Sequence, residues 1–290
     1  MQTRQIGDTE VSAVGLGAMN LSIEGRPDET RAIATIHAAI DAGVTLIDTA
    51  DSYHLAGHDE VGHNERLIAK ALASHSRGSD VLVSSKGGHT RPDLNPGPYI
   101  WPVNGRPEHI KAACEGSLER LGVEAIDLYF LHQTDQDVPY EDSVGVLRDL
   151  LDAGKIRMAG ISNATTAEIE LANDVLDGRL AAVQNQFSPA FRSSEPELKL
   201  CHSMGIPFLP WGPLHGVSRS DAGTPVHDRF TRIAQAHGVS PQQVVLAWML
   251  ATSPVVIPIP GSTRPETARD SAAAVGLALT DSEREELDTV

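Results

Sequence analysis

The sequence predicts an α/β fold: one (β/α)8 barrel domain over residues 1–290, preceded by an N-terminal β-hairpin. Three observations carry this expectation. Strand-like and helix-like patterns alternate from residue 28 to the end of the chain. The strands at 44–47, 81–83 and 125–131 are mostly apolar, as strands covered on both faces are. Eight such strands follow the hairpin, each with a helix, and that count favours a closed barrel over a doubly wound sheet. A length of 290 residues suits one such barrel, which commonly needs about 250.

The elements follow in order. Runs at Thr3–Ile6 and Val11–Leu16 flank Gly7-Asp8, a pairing suited to a hairpin turn. Gly15 and Gly17 have no third glycine at the spacing of a dinucleotide-binding loop, so that motif is set aside. Asp28 caps a helix with Ile33, Ile36 and Ile40 on one face, ended at Gly43. Strand Val44–Asp48 and helix Asn64–Ala73 come next, then strand Val81–Lys86 and a Pro- and Gly-rich loop, Gly87–Gly105. Pro107 opens a helix that Gly122 closes, ahead of strand Ala125–Leu131. The same cadence gives helix Asp142–Ala153, strand Ile156–Ile161, helix Ala167–Leu176 and strand Ala181–Asn185. It continues with helix Pro196–Met204, strand Ile206–Trp211, helices Asp228–Ala236 and Pro241–Ala251, and strand Val255–Pro258. A short helix from Pro265, a strand at Gly276–Leu279 and a helix from Asp281 complete the pattern.

Charge narrows the partners. The 23 basic and 39 acidic side chains give a formal net charge of −16, which argues against nucleic acid and anionic membrane, since both select basic patches. Cys114 and Cys201 fall on apolar helix positions and read as reduced core thiols. No secretory leader pattern and no run of about 18 apolar residues is present, so a cytoplasmic location is expected. The expected partner is a small molecule, and the expected state is a monomer.

Four polar residues end apolar strands. Asp48 and Tyr53 follow the first barrel strand, Lys86 ends the second, and His132 follows the third. Each alone has a plainer reading: a turn cap, a surface aromatic, a surface lysine, a hydrogen-bonded core imidazole. Together they lie at the sheet edge where α/β folds carry their chemistry. A free phenol has a pKa of about 10, and a neighbouring ammonium lowers it. A carboxylate holds that ammonium in place, and an imidazole beside the phenol bonds a substrate oxygen. Such a set suits carbonyl reduction, with the hydride supplied by a cofactor.

The segments GVTLIDTADSY, VLVSSKGG, DLYFLHQTD, GISN and VVIPIPGSTRPE resemble the aldo-keto reductase family, in this order and over essentially the whole chain. The resemblance implies a TIM barrel and an NADPH-dependent reduction of an aldehyde or ketone to the alcohol, reversibly. It makes Tyr53 the proton donor, Lys86 the cation that lowers its pKa, Asp48 the counter-ion and His132 the orienter of the carbonyl. It also implies cofactor contacts from Ala18, Met19 and Asp48, and from Ser162, Asn163 and Gln184 at the nicotinamide carboxamide. Trp211 is implied to stack on the nicotinamide ring, and Gly212, Pro213, Leu214 and Gly216 to meet the pyrophosphate. Gly261, Ser262, Thr263, Arg264, Arg269 and Asp270 are implied at the adenosine end. Arg264, with Arg269, favours NADPH over NADH because guanidinium matches phosphate geometry. The chain departs from the pattern at Gly261, where some branches have Lys, and at Ser271, where Asn is usual.

The substrate pocket is expected from Met19, Asn20, Tyr53, Tyr99, Trp101 and His132. Pyridoxal-type and sugar-specific reduction are the alternatives within the family. Outside that chemistry stand a nicotinamide-binding regulatory barrel and a metal-dependent hydrolase built on His54, His58 and His63 with Asp59 and Glu60. The spacing of that last group matches no compact metal motif, and no metal is expected. The segment reads instead as a solvated loop.

Overall fold

The computed structural model describes residues 2–56, 60–91, 101–218 and 221–289. Strands β1 (Thr3–Ile6) and β2 (Thr9–Ser12) form an antiparallel hairpin. Gly7 makes the turn at a φ of 54°, a left-handed conformation that glycine adopts without steric cost. Six parallel strands follow in sequence order: β3 (Leu16–Gly17), β4 (Leu46–Asp48), β5 (Leu82–Gly87), β6 (Ile126–Leu131), β7 (Ile156–Ser162) and β8 (Leu180–Gln184).

Two further extended segments carry the pairing onward. Phe208 bridges Val183 on one side and Val256 on the other, and Gly261 bridges Gly17, all in parallel. Backbone bonds run from Val183 N–H to the Pro207 carbonyl, from Ile259 N–H to Pro210, and from Gly15 and Gly17 N–H to Pro258 and Pro260. The predicted strands Ile206–Trp211 and Val255–Pro258 thus occur as single bridges. The reason is composition: Pro207, Pro210, Pro258 and Pro260 accept through their carbonyls but have no N–H to give. Close approach at this seam also demands glycine, since a Cβ on Gly17 would stand 2.7 Å from the Ile259 carbonyl oxygen.

Two strand expectations are corrected. Leu16–Gly17 leaves the hairpin and becomes the first strand of the parallel sheet. Gly276–Leu279 is not a strand: a 3-10 turn covers Ala274–Gly276, and Leu277 and Leu279 pack on the core from irregular backbone.

The helices lie where predicted. They are α1 (Glu29–Asp41), α2 (His63–Ala73), α3 (Pro107–Leu121), α4 (Tyr140–Asp152), α5 (Thr166–Val175) and α6 (Glu195–Met204). The remainder are α7 (Pro225–His237), α8 (Pro241–Thr252), α9 (Pro265–Ala273) and α10 (Asp281–Asp288). Asp28 caps α1 by accepting from Arg31 N–H at 2.9 Å, and Gly122 ends α3 at a φ of 70°. α7 starts three residues before its expected Asp228 because Thr224 supplies the cap and Pro225 the first turn.

Side chains alternate along the strands between two cores. Leu46, Leu82, Leu128, Phe130 and Ala182 join Leu209, Ile257, Ile259 and the hairpin's Ile6 and Val11 in one inner cluster. One cluster drawing on β4 through β8 and on the segment near Ile259 requires the sheet to curl. Ile47, Val83, Tyr129, Leu131 and Val183 face the helices instead. Cys114 and Cys201 are buried free thiols on α3 and α6, both pushed up to about 12 by burial. Among the described residues no helix is long and apolar enough to cross a membrane.

Candidate active site

The strand ends converge because the sheet is parallel and in register. Asp48 pairs with Ser84, Lys86 with Phe130, and Ser162 with Gln184, so all the C-terminal ends share one rim. Alternation decides what faces inward. Asp48 lies on the face of Leu46, and Ser84 and Lys86 on that of Leu82. His132 follows Leu131, its N–H donating to the Gly87 carbonyl at 2.9 Å.

Three of the four predicted residues are bonded directly. Lys86 Nζ donates to Asp48 Oδ2 at 2.6 Å, to the Thr49 carbonyl at 2.8 Å and to the Tyr53 hydroxyl oxygen at 3.2 Å. Lys86 is fully buried and Asp48 nearly so. Ser84 Oγ and Gln184 Nε2 both donate to Asp48 Oδ1 at 2.8 Å. The carboxylate is therefore saturated, as a buried charge must be. His132 completes the group through ring contact, its imidazole edge-on to Tyr53 at 5.8 Å and 78°.

Burial sets the protonation states. It would lower Lys86, but the charges and hydrogen bonds of Asp48 and Tyr53 outweigh it, and the ammonium is held above its usual range. Tyr53 departs from the expectation of a lowered pKa. Burial raises it more than Lys86 lowers it, and the resting side chain is a phenol at neutral pH. His132 is driven well below its usual value by burial, with His89 and Lys86 adding to the effect, and it is neutral.

The residues assigned to the carboxamide bond one another. Ser162 Oγ donates to the Gln184 carbonyl at 2.7 Å. Asn163, at a φ of 57°, gives its amide N–H to the His132 carbonyl at 3.1 Å and accepts from Trp211 Nε1 at 3.0 Å. One polar web thus ties the ends of β6, β7 and β8 to the half-buried Trp211 indole. Gly212 and Gly216 adopt left-handed conformations, and Pro213 and Leu214 lie between them. Ala18 donates its N–H to the Asp48 carbonyl at 2.9 Å, and Met19 is 36% exposed beside it.

Arg264 and Arg269 are exposed at the start and along α9, next to Gly261, Thr263 and the buried Ser262. Ser262 Oγ bonds Thr267 Oγ1 at 2.5 Å. Asp270 accepts from Ser240 Oγ and Gln243 Nε2, both at 2.6 Å, and so braces the N-terminus of α8.

Of the expected pocket residues, Asn20 is exposed and Trp101 meets Tyr53 edge-on at 6.1 Å. Arg91 lies over the Trp101 ring at 4.3 Å and pairs with Glu24. Tyr99, His58 and Asp59 lie outside the described residues. His54 is buried, contrary to a solvated loop, and its Nδ1 lies 2.9 Å from the Leu55 carbonyl. His63 Nδ1 is taken by Ser22 Oγ at 2.9 Å. Among the described residues no group of His, Cys, Asp or Glu has the arrangement of a metal site.

Several neighbours escaped the sequence reading. Ser84 had a signal, a hydroxyl two residues before Lys86 and so on the same face of the strand, whereas the Thr49 carbonyl and Asn64 had none. Asn64 accepts from Thr49 Oγ1 at 2.5 Å and donates to the Ala18 carbonyl at 2.8 Å, fixing the loop that leads to Tyr53. His89, whose ring lies 4.2 Å from that of His132, was equally unmarked.

Known proteins share this sequence and architecture. The model of the aldo/keto reductase family matches residues 13–290. An uncharacterised oxidoreductase of Schizosaccharomyces pombe is 32% identical over 281 residues, covering 96% of this chain and 86% of its own. Among solved structures, the glycerol dehydrogenase of Gluconobacter oxydans aligns with a TM-score of 0.85 at 29% identity, over 99% of this chain and 94% of that one. An aldo/keto reductase of Klebsiella pneumoniae, solved with NADP and acetate, aligns at 0.81 with 29% identity and the same coverage. The chain belongs to the aldo/keto reductase family.

Proposed function

We propose that the chain is an NADPH-dependent oxidoreductase that reduces an aldehyde or ketone to the alcohol, reversibly, in a single closed (β/α)8 barrel. The observation that carries this reading is the Tyr53 hydroxyl, 3.2 Å from a buried Lys86 ammonium that Asp48 holds at 2.6 Å. NADP in the Klebsiella relative supports the choice of cofactor, and that protein aligns over 99% of this chain. The donor set supports the fit. Asn163, Gln184 and Ser162 put amide and hydroxyl groups in one polar web with the Trp211 indole N–H, and Arg264 and Arg269 stand exposed near Ser262 for a phosphate.

When bound, the cofactor supplies the hydride. The residues of the chain do the rest. Tyr53 stays protonated at rest and gives its hydroxyl proton to the carbonyl oxygen as charge develops there. The phenolate left behind is met by Lys86 Nζ, already in place, so no solvent need reorganise. Asp48, saturated by Lys86, Ser84 and Gln184, keeps the ammonium aimed. Neutral His132 donates an N–H to the carbonyl oxygen and sets its angle toward Tyr53. In the reverse direction, Lys86 eases deprotonation of Tyr53 so that it accepts the alcohol proton.

NADPH absorbance with a panel of aldehydes and ketones, including pyridoxal and small α-dicarbonyls, tests the reading. Tyr53→Phe should lose about 100- to 10,000-fold in kcat, the span of general-acid contributions, with cofactor binding unchanged. Turnover by this variant at the native rate removes Tyr53 from the role. A native protein that binds NADPH yet consumes none with any carbonyl points to the regulatory barrel.

A further inference from the structure

The His132 ring has little polar hold of its own. Its Nδ1 is buried without a hydrogen-bond partner among the described residues. Its backbone is fixed, by Gly87 on one side and by Asn163 on the other. Two other rings stand against it: Tyr53 at 5.8 Å and His89 at 4.2 Å, both edge-on. His89 meets Trp101 at 6.2 Å, and Trp101 returns to Tyr53 at 6.1 Å. Tyr53, His132, His89 and Trp101 therefore close a cycle of edge-to-face contacts around the phenol.

His89 is the best anchored of the two imidazoles. Its backbone bridges Val103 in antiparallel fashion. Thr90 N–H donates to the Pro102 carbonyl at 2.8 Å, and Asn104 N–H donates to that of Gly88 at 2.7 Å. The His89 Nδ1 lies 3.3 Å from the Pro102 carbonyl oxygen. This small paired strip is a rigid mount, and the ring it carries leans on His132.

We propose that His89 is a positioning residue for the carbonyl reduction: its ring is the abutment that fixes the orientation of the His132 imidazole beside the Tyr53 hydroxyl. This rests on the reading of Tyr53 as proton donor. A neutral imidazole has one N–H and one acceptor nitrogen, so a turned ring presents the substrate oxygen with a lone pair instead of a donor. The groups facing the pair favour neutrality. Lys86 from β5 opposes a second cation at both rings, the Tyr53 phenol and the Trp101 indole are uncharged, and burial dominates for each imidazole. The Pro102 and Trp101 carbonyls and the Gln133 side chain pull His89 the other way, but burial prevails.

Two variants and one spectroscopic readout test this. His89→Ala should lower kcat/KM by about 10- to 100-fold, the cost of a misplaced contact, with NADPH binding by fluorescence quenching unchanged. His89→Phe, which restores a ring without an imidazole, should recover kcat/KM to within about threefold of native. In spectra of isotope-labelled imidazole nitrogens, native His132 should show one ring environment, and His89→Ala should show two in exchange with titration at higher pH. The proposal is overturned if His89→Ala keeps native kcat/KM and an unchanged His132 spectrum. It is overturned equally if His89→Phe is as slow as His89→Ala, since that assigns the effect to the His89 nitrogens. The His132 spectrum reads the abutment without turnover, so failure of the proton-donor reading, seen with Tyr53→Phe, is separable from failure here.

Discussion

Two ion pairs stand back to back on strand β5, and only one of them lies in the proposed site. On the inner face, Lys86 meets Asp48 at 2.6 Å and Ser84 donates to the same carboxylate. On the outer face, Arg120 of α3 meets Glu65 of α2 at 2.5 Å, and Ser85 donates to Glu65 Oε1 at 2.6 Å. Consecutive serines thus serve opposite carboxylates, as the two-residue period of a strand dictates. Both pairs bury a carboxylate almost completely. The difference lies in what stands next. The inner ammonium touches a phenol at the rim, backed by His132 and Trp101, whereas the outer guanidinium is closed in by two helices. The proposed chemistry therefore rests not on a buried pair by itself but on its contact with a proton-bearing group at a strand end.

Substituting one cation on each face makes this contrast measurable. Lys86→Met should have the largest effect, because it harms two properties at once. It leaves Asp48 as an uncompensated buried charge, costing about 3–5 kcal/mol of stability. It also removes the ammonium that receives the phenolate, so the folded fraction should turn over about 100- to 10,000-fold more slowly. Denaturant titration and kcat per folded molecule are the two measurements. Arg120→Met should match it in stability alone, again about 3–5 kcal/mol, with kcat per folded molecule close to native. A comparable loss of kcat in both variants would show that the two faces are coupled and that the contrast is wrong.

The inner face was largely legible in the sequence and the outer one was not. Asp48, Lys86 and His132 each close an apolar strand run, so periodicity and position sufficed, and Tyr53 lay five residues past Asp48. Glu65 and Arg120 sit on different helices, 55 residues apart, and nothing in either helix marks the other. The strand expectation at Gly276–Leu279 failed for a related reason. Its apolar residues do reach the core, but burial alone does not distinguish a ladder from irregular chain. Leu16–Gly17 was missed because a strand of two residues is fixed by its neighbours, Ile47 and Asp48, rather than by any pattern of its own. His89 is a third case, a polar residue placed by a loop pairing that no local period announces.

Asp51 lies on the outer side of the same loop and gives the finest test of the comparison. Its carboxyl is buried with Oδ1 unpartnered among the described residues. Burial first, and then the Glu65 charge, raise its pKa to about 8, against the counter-pull of Arg120, the Ser52 amide and Lys86. The sign follows from linkage. The unfolded side chain ionises near the ordinary carboxyl value of 3.8, while the folded one holds its proton to about 8. Between those values the folded state binds more protons, so stability falls as pH rises, by about 1.4 kcal/mol per pH unit from this group. Asp51→Asn removes that slope, since an amide mimics the protonated acid. Its stability advantage over the native chain should grow from about pH 4 to about 8 and level off above, read by denaturant titration across pH. A parallel offset at every pH would mean that Asp51 is ionised in the fold. The outer cluster would then hold two carboxylate charges against Arg120, and Lys86 on the inner face would be a larger counter-charge to it than the contrast allows.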